Sequence, residues 1–153
     1  MPDLLAGSTV TGLDTPASQF DEDTADIVNF TNTAFASGAP VVGVSFTAPT
    51  TGRVLVLWHA RFNPTSAVAA QVGFALRTGS VVGSGTLLQD GLNEGCLESP
   101  NVSGGAGRVQ GGTFYALSGL TPGSEYNVVV CHRMSAAGSG TIFARYITVM
   151  PST

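Results

Sequence analysis

The chain has no lysine. Its basic residues are Arg53, Arg61, Arg77, Arg108, Arg133 and Arg145, and only 10% of its 153 residues are charged. Ordinary domains carry about 25% charge. A surface so poor in charge must be covered by Ser, Thr, Asn, Gly and Ala, or by other protein. Two readings follow: a sandwich rich in Thr and Gly from a GC-rich genome, or an obligate oligomer whose interface hides apolar strand faces. Lysine is also one of the devices that blunt sheet edges, so its absence favours edges covered by a neighbouring subunit. The net charge of −4 argues against nucleic acid as a partner.

Long apolar runs are missing too. Glycines and polar residues interrupt every hydrophobic stretch well before the roughly 18 residues a membrane helix needs. Met1-Pro2-Asp3-Leu4-Leu5 has neither a basic n-region nor an apolar h-region, so the expectation is synthesis and assembly in a cytoplasm. The two cysteines, Cys96 and Cys131, have no metal-binding spacing. Cys131 reads either as a buried free thiol or as a disulfide partner of Cys96 formed outside the cell.

Catalytic arrangements are equally scarce. His59 and His132 are the only histidines; each lies mid-strand beside an arginine, and they would be cross-strand neighbours if their strands paired. A zinc site needs three or four ligands, and only Cys131 and distant acids could join them. No Gly-x-Ser-x-Gly elbow stands between a strand and a helix. The glycine-rich stretches at 79–85 and 104–107 offer no helix N-terminus for a phosphate. Glu94 and Glu98 share a loop and read as solvated, not as a glycosidase pair. The acids at Asp21, Glu22, Asp23 and Asp26 lack the turn spacing of a calcium loop. The expectation is therefore no enzyme, no cofactor and no metal. The Phe and Tyr residues fall within strand alternation and read as core.

What is present is strand chemistry. Val54, Val56, Trp58, Ala60 and Phe62 alternate with Arg53, Leu55, Leu57, His59 and Arg61, a half-buried strand whose second face starts apolar and ends charged. Val72, Phe74 and Leu76 mark one face of another strand over 68–78. Further strands are expected at 27–35, 41–47, 86–89, 108–117 (broken by Gly111-Gly112), 125–134 and 141–149. Ala48-Pro49-Thr50-Thr51-Gly52 and Gly79 to Gly85 read as turns. In Leu120-Thr121-Pro122-Gly123-Ser124-Glu125-Tyr126, Pro122-Gly123 presets a type II turn, and Tyr126 is expected to cap the core with its hydroxyl bonded to nearby backbone. The count is about eight or nine strands with no convincing helix, hence an antiparallel sandwich or barrel.

The charge is unevenly placed. Asp3, Asp14, Asp21, Glu22, Asp23 and Asp26 put six negatives in the first 26 residues, where there is no arginine. Pro2, Gly7, Gly12, Pro16 and the acidic cluster deny residues 1–25 regular structure, while Leu4, Leu5, Val10 and Leu13 offer apolar anchors. Such a segment reads as an extended acidic arm that docks on a partner through those four residues, or as a frayed terminus. Residues 26–153 form the sandwich domain.

Three stretches carry a resemblance: Met1 to Gly7, Phe46 to Val54, and Leu120 to Tyr126 continuing to Pro151. Together they resemble small β-sandwich virion proteins of tailed bacteriophages of actinobacteria, which serve as capsid decoration or minor tail and fibre proteins. The Ala48 to Val56 stretch is similar to trimeric jelly rolls of the C1q and tumour-necrosis-factor type. The Leu120 to Tyr126 stretch is similar to the corner of fibronectin type III domains, but 128 residues after the arm exceed their length of about 100, which favours an antiparallel jelly-roll-like β-sandwich. The resemblance implies a structural virion protein, assembled in the host cytoplasm, that binds and stabilises the phage head as a homotrimer. Its partners would be itself and the major capsid protein or another virion protein. The alternative is a tail-fibre or host-surface module that binds carbohydrate.

Overall fold

Period-two alternation builds the molecule. In the computed structural model, which describes residues 16–65, 68–91, 95–99 and 108–152, Val54, Val56, Trp58, Ala60 and Phe62 are all buried, as a half-covered strand requires. The described residues form eleven strands and no helix: β1 (Gln19–Asp23), β2 (Ile27–Phe30), β3 (Ala36–Ser37), β4 (Gly43–Thr47), β5 (Val54–Pro64), β6 (Ala70–Thr78), β7 (Leu87–Gln89), β8 (Leu97–Glu98), β9 (Val109–Leu117), β10 (Glu125–Met134) and β11 (Gly140–Pro151). The fold is all-β, an antiparallel jelly-roll-like sandwich, as expected.

The first sheet runs β1-β11-β5-β9, with β2 following β1 along the same side of β11. The second runs β3-β10-β6-β7, with β4 beside β3 on β10 and β8 beside β7 on β6. Each sheet thus has two long central strands. Its margins are built from short pieces, except for β9, which pairs with β5 over nine residues from Val109 to Leu117. Trp58 and Phe74 meet between the sheets with ring centroids 4.9 Å apart, and the Trp58 indole N–H donates to the Val72 carbonyl at 3.3 Å. Val128, Val130, Ile142, Ile147 and Val149 complete the same buried cluster.

The two turn motifs meet. Ser124 N donates to the Thr121 carbonyl at 3.1 Å and Gly123 has φ 77°, a type II turn that needs glycine at that position. The turn packs on the Ala48 to Gly52 turn: Gly123 N donates to Ala48 O and Leu120 N to Gly52 O, at 2.9 and 3.1 Å. Tyr126 is buried, stacks on Phe46 at 6.0 Å, and accepts a bond from Thr121 N at 3.0 Å through its hydroxyl. The expected corner is present in full.

Three local expectations are corrected. Gly111-Gly112 does not break β9, because the two residues pair in register with Ala60 and His59. The strand expected over 27–35 ends at Phe30, where Asn32 turns the chain by donating to the Ala34 and His132 carbonyls at 2.9 and 2.6 Å. The cluster at Asp21, Glu22 and Asp23 is regular strand: Asp21 accepts from Gly43 N at 2.9 Å, and Asp23 pairs with Arg145, which is wholly buried. Asp21 and Asp23 therefore face structure, with Arg145 standing 122 residues from Asp23 in sequence, while Glu22 lies on the exposed side of β1.

Candidate functional site

The chemistry-bearing residues do not gather. Among the described residues no three of His, Cys, Asp and Glu stand close enough to hold a metal ion. His59 lies on β5 and His132 on β10, so they belong to different sheets and are not cross-strand neighbours. His132 points into the core, edge-on to Phe30 at 4.6 Å, and its Nδ1 has no hydrogen-bond partner. Burial first, then the Arg145 guanidinium, pull His132 down to about 4, so it is neutral at neutral pH. Cys131 is a free thiol, so it is not joined to Cys96, and burial pushes it up to about 12, which makes it inert. Glu98 is engaged by the Gln71 amide, which in turn accepts from Arg133 Nε at 2.7 Å. Glu94, like Leu4, Leu5, Val10 and Leu13, lies outside the described residues.

The two outer faces differ. The outer face of the second sheet is roofed by the chain's own loops. Asn127 reaches out from β10 into the 79–85 loop: its Oδ1 accepts from Gly83 N at 3.0 Å, and its Nδ2 donates to Gly79 O and Ser84 O at 3.0 and 3.1 Å. Phe35 packs over Gly91, where an added Cβ would come within 2.4 Å of the ring, and Arg133 lies 4.4 Å over the same ring. Beneath this roof Val129, Cys131 and Ala75 are buried.

The outer face of the first sheet is bare. Register aligns Phe20, Thr148, Leu57 and Phe114 in one row across β1, β11, β5 and β9. Phe20 is 58% exposed and Phe114 65% exposed, although neither touches a described roof. The next row brings Glu22, Tyr146, His59 and Gly112 side by side, with the His59 and Tyr146 rings 5.2 Å apart. Between the rows lies a shallow groove of about 310 Å³, lined by Leu57, His59, Gly112, Phe114, Tyr146 and Thr148. Towards Arg61 and Gln110 the surface turns polar, around a second hollow of about 160 Å³. The sequence reading of a β5 face that starts apolar and ends charged is thus what the structure shows.

The expectation that all Phe and Tyr are core fails at Phe20 and Phe114. Consecutive aromatics at Phe114-Tyr115 were the signal: on a strand, one of two neighbours must point outward. Nothing in the sequence alone places Phe20 in the same row, because β1 and β9 are joined only through β11 and β5.

No family model matches the sequence, and no curated protein does. Solved structures share its layering. A chain in the structure of infectious bursal disease virus Gx strain matches 88% of this chain and 32% of its own length, at TM-score 0.49 and 10% identity. This chain therefore spans about a third of that protein. The Eiger TNF of S. frugiperda matches 89% of this chain and 93% of its own, at TM-score 0.44 and 11% identity. The CBM22-1 xylan-binding domain of Paenibacillus barcinonensis Xyn10C matches 90% and 85%, at TM-score 0.42 and 10% identity. Virus particle chains and a xylan-binding domain both occur among these matches, each at a TM-score below 0.5.

Proposed function

We propose that this chain is a structural virion protein, a capsid decoration protein that binds and stabilises a phage head as a homotrimer. It acts by binding and not by catalysis. One observation carries the reading: the unroofed row of Phe20, Leu57 and Phe114 on the first sheet, on a chain that roofs its other sheet with its own loops. The face has the size an interface needs. β1, β11, β5 and β9 have 5, 12, 11 and 9 residues, so at about 3.4 Å per residue and about 4.8 Å per strand the face spans roughly 600 Å², approaching the roughly 800 Å² per partner of a stable complex. Its groove is predominantly apolar, with Leu57 and Phe114 as walls, which suits protein better than sugar.

On a head, binding the folded state of the shell stabilises it by mass action, and three linked copies add avidity where three capsid subunits meet. The segment before β1 would reach the capsid protein through Leu4, Leu5, Val10 and Leu13. The protein would assemble in the host cytoplasm and remain on the particle.

A fibre or host-surface module that binds carbohydrate is the second reading, and exposed Phe114 beside His59, Gln110 and Arg61 is what favours it. Mass spectrometry and labelling of purified particles test the first reading. The expected result is the chain on the head in multiples of three. Hits on a glycan array, with the chain at the fibre tip, would replace it with the second.

A further inference from the structure

The margins of the two sheets are not alike. β1, β2, β3, β4, β7 and β8 have five, four, two, five, three and two residues. β1 is further blunted by Asp21, Glu22 and Asp23. Short and charged edges resist pairing with another chain. β9 is the exception: nine residues, Val109-Gln110-Gly111-Gly112-Thr113-Phe114-Tyr115-Ala116-Leu117, with no charge and no proline. Among the described residues β5 pairs with one side of it and no strand pairs with the other. A long, uncharged edge presents a row of free N–H and C=O groups to another strand.

The sequence of β9 says which strand fits. Placed antiparallel to itself about a two-fold axis at Thr113, β9 sets Phe114 opposite Gly112 of the second copy, and Tyr115 opposite Gly111. Both pairs occur twice, by symmetry. Aromatic rings laid over edge glycines are a known means of fixing strand register, and directly opposed residues lie on the same face. Gly112 and Phe114 share the outer face, in register with His59 and Leu57; Gly111 and Tyr115 share the inner one, in register with Ala60 and Val56. Neither glycine position is filled. A Cβ on Gly111 would meet only Leu97, at 3.5 Å, and on Gly112 would make ordinary contacts at 3.4 Å and beyond. Tyr115, although it faces inward, is 38% exposed at this open margin. Moving the axis to Phe114 sets that ring against itself, and moving it to Gly112 sets Phe114 against Gln110; only Thr113 gives every aromatic a glycine. The nearest charge, Arg108, would face Ser118.

We infer that β9 is a two-fold self-docking edge: it joins a second copy of this chain, β9 to β9, into one continuous sheet centred on Thr113. This contact runs along the β9 edge, whereas the row of Phe20, Leu57 and Phe114 lies across the sheet face; the two share Phe114, and on a shell the edge contact would tie one trimer to the next.

Position-specific cross-linking tests it. On the axis, Thr113 of the two copies has Cα atoms about 4.5–5.5 Å apart, within the disulfide range of about 4.4–6.8 Å. Gln110 and its copy would be about 20 Å apart, six residues of strand. In a Cys96→Ser background, Thr113→Cys should form disulfide-linked dimers under mild oxidation at least tenfold faster than Gln110→Cys. Adding Gln110→Lys and Ala116→Lys together, at exposed positions outside the face row, sets lysine opposite lysine twice across the pairing and should slow that reaction at least tenfold. Equal rates for Thr113→Cys and Gln110→Cys would overturn the inference, as would indifference to the paired Gln110→Lys and Ala116→Lys changes. Leu57→Glu lies outside the β9 pairing and should leave the cross-link intact, so this contact and the face contact are read separately.

Discussion

The sandwich has two outer faces made from the same strand chemistry, and the protein treats them differently. The second sheet hides Val129, Cys131 and Ala75 under the 79–85 loop and Phe35, held by Asn127 and Arg133. The first sheet leaves Phe20, Leu57 and Phe114 in a row with nothing described above them. An isolated exposed ring is ordinary; three apolar side chains in one row of four strands, broken only by Thr148, form the contact surface proposed above. The difference teaches where stability is stored and where association is left to be made. Changes behind the roofed sheet should damage the fold, and changes on the bare sheet should damage assembly while sparing the fold.

The largest effect on folding should come from pH, through His132 behind the covered sheet. Its value of about 4 lies below the ordinary 6.5. Above pH 6.5 both folded and unfolded chains hold it neutral, and its full contribution is present. Between 6.5 and 4 only the unfolded chain takes up the proton, so stability falls as pH drops through that window, by about 3 kcal/mol in total. His132→Gln should remove this part of the slope, measured by urea unfolding at pH 7, 5.5 and 4.5; an unchanged slope would assign acid sensitivity to other groups.

Next in size is Asn127→Ala, which unties the roof. Loss of the bonds to Gly79, Gly83 and Ser84 should cost about 2 kcal/mol, and hydrogen exchange should speed up in the 79–85 loop while the first sheet is unaffected. Tyr126→Phe, at the corner between the turns, should cost about 1 kcal/mol for the bond from Thr121 N. No change would leave only the stacking on Phe46. Smallest for folding is Leu57→Glu on the bare face, within about 0.5 kcal/mol of wild type.

Much of this was legible in the sequence. The alternation in Val54 to Phe62, the Pro122-Gly123 turn and the Tyr126 cap depend on neighbours a few residues apart, and all stand as read. The half-apolar second face of β5 was visible too. What escaped was non-local. Asp21 and Asp23 look like a solvated run until β1 is set beside β11, where Asp23 meets Arg145. Phe20 and Phe114 look like core until register through β11 and β5 brings both to the outer row with Leu57. Equally, His59 and His132 look like neighbours until their strands fall into separate sheets. Pairing between distant strands decides each of these, and period-two order cannot reveal a partner strand.

Sedimentation equilibrium of the intact chain and of its Leu57→Glu variant, from about one to one hundred micromolar, tests the central claim most directly. In a Gln110→Lys/Ala116→Lys background, which sets lysine against lysine across the β9 edge and leaves the face row intact, the account predicts three-chain mass with Leu57 present, and at least a tenfold weaker association with Leu57→Glu at unchanged folding stability. A wild-type chain that stays monomeric across the whole range, or a Leu57→Glu variant that associates as tightly as its parent, would contradict it.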